Sequence, residues 1–120
     1  MHDYQMGLAE SRFADMIWEQ EPTTAAELAK LGAEQLQWKK TTCYTVLKRL
    51  CDKGIFRNEG GAVSSVLSRA EFYGKKSEQF VEESFQGSLP SFLAAFSSQK
   101  RLSAEDVAQL RRMIEEFEED

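Results

Sequence analysis

The chain has 120 residues, 42% of them apolar and 11% aromatic, enough for one packed domain or a small domain with an accessory helical segment, and wholesale disorder is excluded. No stretch approaches the ~20 apolar residues of a membrane helix, and the opening MHDYQMG lacks the basic start and apolar run of a signal peptide. A cytoplasmic chain without membrane insertion is expected. The net charge of −5 hides a pattern: residues 1–37 and 58–120 each carry −5, whereas residues 38–57 set Lys39, Lys40, Lys48, Arg49, Lys53 and Arg57 against Asp52 alone, giving +5. One basic segment inside an acidic chain is an electrostatic footprint for a polyanion, although a solvated helix face produces the same pattern.

In chain order, a first helix is expected from about Leu8 to Gln20. Gly7 stands at its N-cap, Phe13, Met16 and Ile17 share one face, and Pro22 stops it. Thr24-Ala25-Ala26-Glu27 is a capping box opening a second helix, with Leu28 and Leu31 inward; Gly32 either ends it or lets it continue to about Leu36. The third helix covers Lys40 to Lys53, with Cys43, Val46, Leu47 and Leu50 as its apolar stripe and Gly54 as its left-handed stop. Residues 55–59 and 62–67 then read as two strands around Gly60-Gly61, a pair suited to a primed turn.

Past the hairpin the period becomes helical again. Ser68-Arg69-Ala70-Glu71 opens a helix that ends at Gly87. Ser88 caps a short helix with Pro90 in its first turn, and Ser103-Ala104-Glu105-Asp106 opens the last one. The acidic end at residues 115–120 opposes the helix macrodipole, so fraying is expected there. The order is three helices, a hairpin, a hinge near Ser68 to Ala70, and three more helices. Six Phe at or beyond position 72 exceed what three short helices can hide, and a second copy of the chain is the simplest cover.

The third helix carries the most chemistry. Opposite its apolar stripe, Thr41, Tyr44, Thr45 and Lys48 recur at i, i+3, i+4 and i+7 on one outward face. Hydroxyls and cations contact phosphates, a Thr methyl meets a thymine methyl, and Tyr44 offers a ring with one hydrogen bond. Lys39 and Lys40 flank the helix N-terminus, whose amides attract anions, and Arg57 and Asn58 follow in the hairpin. The same pattern also fits an exposed polar face beside a structural hairpin.

The stretch Trp38-Lys39-Lys40-Thr41-Thr42-Cys43-Tyr44-Thr45-Val46-Leu47-Lys48-Arg49-Leu50, followed by Lys53-Gly54, resembles the recognition-helix signature of the penicillinase-repressor family, which includes methicillin-resistance and copper-responsive repressors. The resemblance continues through Phe13-Ala14-Asp15-Met16-Ile17-Trp18, Gly87-Ser88-Leu89 and Leu102-Ser103, and so covers nearly the whole chain. It implies a mainly α fold: a winged helix-turn-helix of three helices plus a β-hairpin over residues 1–68, then a three-helix dimerisation region over 69–120. It also implies a homodimer that represses transcription on a palindromic operator in double-stranded DNA. The implied DNA contacts are Trp38, Lys39, Thr41, Thr42, Tyr44, Thr45 and Arg49, with Arg57 and Asn58 from the wing; Lys40 and Lys48 join them from the residue pattern itself. The dimerisation face is expected on Phe72, Phe80, Phe85, Leu89, Phe92, Leu93, Phe96, Leu110, Ile114 and Phe117.

The chain departs from the family pattern in places. Many relatives have Ser-Pro at Lys39-Lys40 and Arg at Tyr44, and the usual aromatic return strand of the wing is here Val63-Ser64-Ser65-Val66. Antibiotic-linked members are cut at an Asn-Phe bond by a membrane sensor protease; the matching bond is Ala95–Phe96. Copper-linked members carry Cys-x-Cys pairs near the C-terminus, and this chain has no Cys after Cys51.

Other chemistry is sparse. Cys43 and Cys51 sit eight residues apart on one helix, ~12 Å by rise and too far for a disulfide. Cys43 reads as core, and Cys51 as core or a modifiable thiol. His2 is the only His, so a His-based metal or nucleophile site has nothing to build on. Trp18 suits the core or a dimer contact; Trp38 suits packing or a phosphate. No acid–base pair, nucleophile or metal cluster converges, so neither catalysis nor a cofactor is expected. Two other readings remain: a protein-interaction adaptor built on the same module, and a sensor holding a small molecule in the Phe-rich region.

Overall fold

The computed structural model describes residues 4–119; His2 and the terminal Asp120 lie outside the described residues. Six helices and three strands follow in the order α1 Leu8–Gln20, β1 Thr23–Thr24, α2 Ala25–Leu36, α3 Lys40–Asp52, β2 Phe56–Glu59, β3 Ala62–Ser65, α4 Arg69–Phe85, α5 Leu89–Gln99 and α6 Ala104–Glu119. No helix among the described residues is long and apolar enough to cross a membrane.

Local chemistry accounts for most boundaries. The Thr24 hydroxyl accepts from the Glu27 amide at 3.1 Å and starts α2, which continues past Gly32 to Leu36. Ser88 and Ser103 cap α5 and α6 by accepting from the Ser91 and Asp106 amides. Gly60 and Gly61 take φ of 61° and 97°, the positive values a primed turn demands, so β2 and β3 pair from Phe56↔Ser65 to Glu59↔Ala62. The fold adds a strand that periodicity does not show. Thr23 and Thr24 pair with Val63 and Ala62, giving a three-stranded antiparallel sheet in the order β1-β3-β2.

The chain divides into two compact units between Gln79 and Phe80, within α4. The first is built on Phe13, Met16 and Ile17 of α1, Leu28 and Ala29 of α2, and Cys43, Val46, Leu47 and Leu50 of α3, closed by Ile55, Phe56 and Val63. Phe72 completes this core. It is fully buried and meets Trp18 at 5.7 Å and Tyr4 at 6.1 Å between ring centres. Its expected place on a dimerisation face is therefore corrected: the first turn of α4 belongs to the N-terminal core. Residue 68 marks a change of secondary structure, and the compact unit reaches further because Phe72 is needed to seal it.

The second unit holds the end of α4 with α5 and α6. Phe80, Phe85 and Phe92 pack edge to face with centres 5.6–6.1 Å apart. No described side chain of α5 or α6 is buried. Phe96 is 45% exposed, Ile114 57% and Phe117 74%.

Candidate nucleic-acid interface

Burial of Cys43, Val46, Leu47 and Leu50 fixes the roll of α3. With that stripe inward, the helical period turns the other side to solvent: Thr41, Thr42, Tyr44, Thr45, Lys48 and Arg49 are all exposed, as are Lys39 and Lys40 at its start. Every expected contact on this helix shares one accessible surface. Trp38, just before it, is half-buried and stacks on Phe13 at 5.4 Å, so its ring anchors the start of α3 to α1.

The polar groups differ in how they are held. The Thr45 hydroxyl donates to the Thr41 carbonyl at 2.9 Å, which engages its proton within the helix and leaves the oxygen as an acceptor. Lys40 lies 5.8 Å from the centre of the Tyr44 ring, within cation–π range. Lys48 pairs with Asp52 at 3.1 Å, but both side chains are strongly exposed, so the pair is weak and readily exchanged for a phosphate. In the hairpin, Arg57 approaches Glu59 at 3.5 Å, and Asn58 Oδ1 accepts from the Gly61 amide at 3.0 Å, which shapes the turn. Ala25 N–H donates to Gly61 O at 2.8 Å, tying the wing to the start of α2.

The N-terminus of α3 has no side-chain cap and no acidic residue in its first turn. With Lys39 and Lys40 there, the positive end of the helix dipole is reinforced rather than neutralised, an arrangement that favours an anion. Of the six cations in residues 38–57, Lys39, Lys40 and Arg49 have no ion pair among the described residues. Lys53 is different. Its Nζ donates to Glu10 Oε2 at 3.0 Å and to Gln5 O at 2.7 Å, half-hidden, so it fastens α3 to α1 instead of facing a ligand.

The thiols contribute little reactivity. Burial pushes the Cys43 thiol up, and its Sγ faces Ala29 O at 3.8 Å; burial and the neighbouring Asp52 charge raise Cys51. Among the described residues no group of three or more His, Cys, Asp or Glu is placed to hold a metal.

The family model described as penicillinase repressor matches residues 6–116, spanning α3, the hairpin and the helices beyond. The chain belongs to the penicillinase repressor family. Members of this family are transcriptional repressors rather than enzymes. The chain is 26% identical over 116 residues to the penicillinase repressor of Bacillus licheniformis, covering 93% of this chain and 91% of that protein. It is 24% identical over 115 residues to the methicillin resistance regulatory protein MecI of Staphylococcus aureus strain N315, covering 92% of this chain and 94% of the relative.

Proposed function

We propose that the chain is a homodimeric repressor that binds a palindromic operator in double-stranded DNA, with the outer face of α3 in the major groove and the wing beside it. The observation that carries this reading is the division of α3: its apolar stripe is buried, while Thr41, Tyr44, Thr45, Lys48 and Arg49 stand together in solvent. Side chains of this kind read base edges, and the uncapped N-terminus with Lys39 and Lys40 holds a phosphate. Apolar side chains left bare on the end of α4 and on α5 and α6 support a second copy as their cover, centred on Phe80, Leu89, Phe96, Ile114 and Phe117. Two reader helices about 34 Å apart then occupy successive grooves and block transcription.

For release, the reading assigns a membrane sensor protease acting on the dissociated protomer at the Ala95–Phe96 bond of α5, where both residues are exposed until a second copy covers Phe96. A fragment ending at Ala95 in induced cells supports this step, and a chain that stays intact through induction contradicts it. A groove of about 290 Å³ between Phe92, Phe96, Leu110 and Met113 favours a second reading, a small-molecule sensor. Metabolites that raise the melting temperature support it.

The test of the main reading is binding of the full chain to duplexes selected from a random library, compared with random DNA. Affinity for selected duplexes is expected to exceed that for random DNA by about 10³-fold or more, and Thr45→Ala with Lys48→Ala abolishes the difference. Equal affinity for both contradicts sequence-specific repression.

A further inference from the structure

Base edges in the major groove differ in where they carry donors, acceptors and a methyl, so the hydrogen-bonding state of each exposed group on α3 decides which edge it can meet. Lys39, Lys40, Lys48 and Arg49 can only donate. The hydroxyls of Thr41 and Thr42 make no hydrogen bond among the described residues, so each is free to turn and either donate or accept. Thr45 differs. Its Oγ1 lies 2.9 Å from the Thr41 carbonyl oxygen, one helical turn back, while the side chain stays exposed. A carbonyl oxygen has no proton to give, so the direction of this bond is unambiguous: Thr45 donates. A β-branched side chain has few rotamers in a helix, and this bond selects one of them. What Oγ1 has left to offer a partner is acceptance alone.

We propose that Thr45 is a specificity-determining residue: held as an acceptor by Thr41, it selects a base with an exocyclic amine in the major groove, adenine N6 or cytosine N4. This rests on the operator-binding reading above and names what one side chain of that site recognises. On the same edge guanine presents O6 and N7, and thymine presents O4. All three are acceptors, and none can donate to an oxygen whose own proton is spent. Placed under Thr45, either base sets acceptor against acceptor after water has left, and a desolvated polar group without a partner is costly. Turning the hydroxyl outward to donate would forfeit its bond within the helix.

The test uses the full chain and duplexes selected from a random library by the wild type and by Thr45→Val, which keeps the shape of the side chain and removes the oxygen. The operator position whose preference relaxes in Thr45→Val is the one that Thr45 faces. There the wild type is expected to hold adenine or cytosine on one strand and to bind guanine or thymine about tenfold more weakly. A selected adenine is replaced by 2-aminopurine, which still pairs with thymine but carries its amine in the minor groove. A selected cytosine is replaced by 2-pyrimidinone, which lacks the amine. Either replacement is expected to weaken the wild type about five- to tenfold and to leave Thr45→Val within about twofold. Thr45→Ser keeps the oxygen and its bond to the Thr41 carbonyl, and is expected to retain the need for the amine. Both variants are expected to melt within about 5 °C of wild type, because the side chain is exposed. Three results overturn the assignment: a wild type that prefers guanine or thymine at that position, a lost amine that weakens Thr45→Val as much as wild type, or a Thr45→Val preference identical to that of wild type. A wild type that selects no duplex overturns the operator reading instead.

Discussion

The Sγ of Cys43 on α3 fills the space that a side chain at Gly32 of α2 would need. This close approach explains why α2 continues through a glycine: the residue is there for packing, not for termination. Gly32→Ala is expected to cost about 1–2 kcal/mol, because overpacking outweighs the helix propensity that alanine brings. Adding Cys43→Ala removes the obstructing sulfur and is expected to recover part of the loss. Urea denaturation of the single and double variants measures both, and a double variant no more stable than Gly32→Ala contradicts the contact.

Arg49 and Lys53 carry the same charge four residues apart, yet their surroundings assign them different work. Arg49 is exposed without an ion pair among the described residues, whereas Lys53 is held by Glu10 and Gln5 O. Arg49→Ala is expected to leave stability within about 0.5 kcal/mol of wild type, to weaken DNA binding, and to reduce the salt slope of binding by about 1. Lys53→Met is expected to lower stability by about 1–2 kcal/mol and leave the salt slope unchanged. Titrations at several salt concentrations, alongside urea melts, separate the two.

The capping box at the start of α4 makes part of the stability depend on pH. Hydrogen bonds from the Ser68 amide and hydroxyl hold the Glu71 carboxyl below its ordinary range. A lowered folded-state pKa means that its contribution is present above the ordinary carboxylate range and fades as pH falls through the folded value. Ser68→Ala is expected to cost about 1 kcal/mol at pH 7. The stability difference between wild type and Glu71→Gln is expected to be larger at pH 7 than at pH 3; a difference that does not change contradicts the linkage.

Much of this architecture is legible in the residues, and the reasons are local. Thr24, Ser68, Ser88 and Ser103 cap their helices because a cap involves only four consecutive residues, and Gly60-Gly61 dictates its own turn. What escapes local reading depends on partners far along the chain. Thr23 and Thr24 become a strand only because β3 offers an edge to them. Phe72 has the period of an apolar helix face, but the period does not say whether that face meets another copy or its own core. Lys53 counts towards the basic segment in any charge sum, and Glu10 removes it from the exposed surface. The outward face of α3 is legible because its apolar stripe is regular, whereas the ion pair of Arg69 with Asp15 joins residues 54 positions apart and has no sequence signature.

A hydroxyl-radical footprint of the wild-type chain on a selected duplex tests the central claim most directly. Two protected patches related by the palindrome, with centres about 10 base pairs or one helical turn apart, are expected. Both should vanish together in Thr45→Ala with Lys48→Ala. Protection that survives in that variant, or a uniform pattern along the duplex, would contradict recognition through the exposed face of α3.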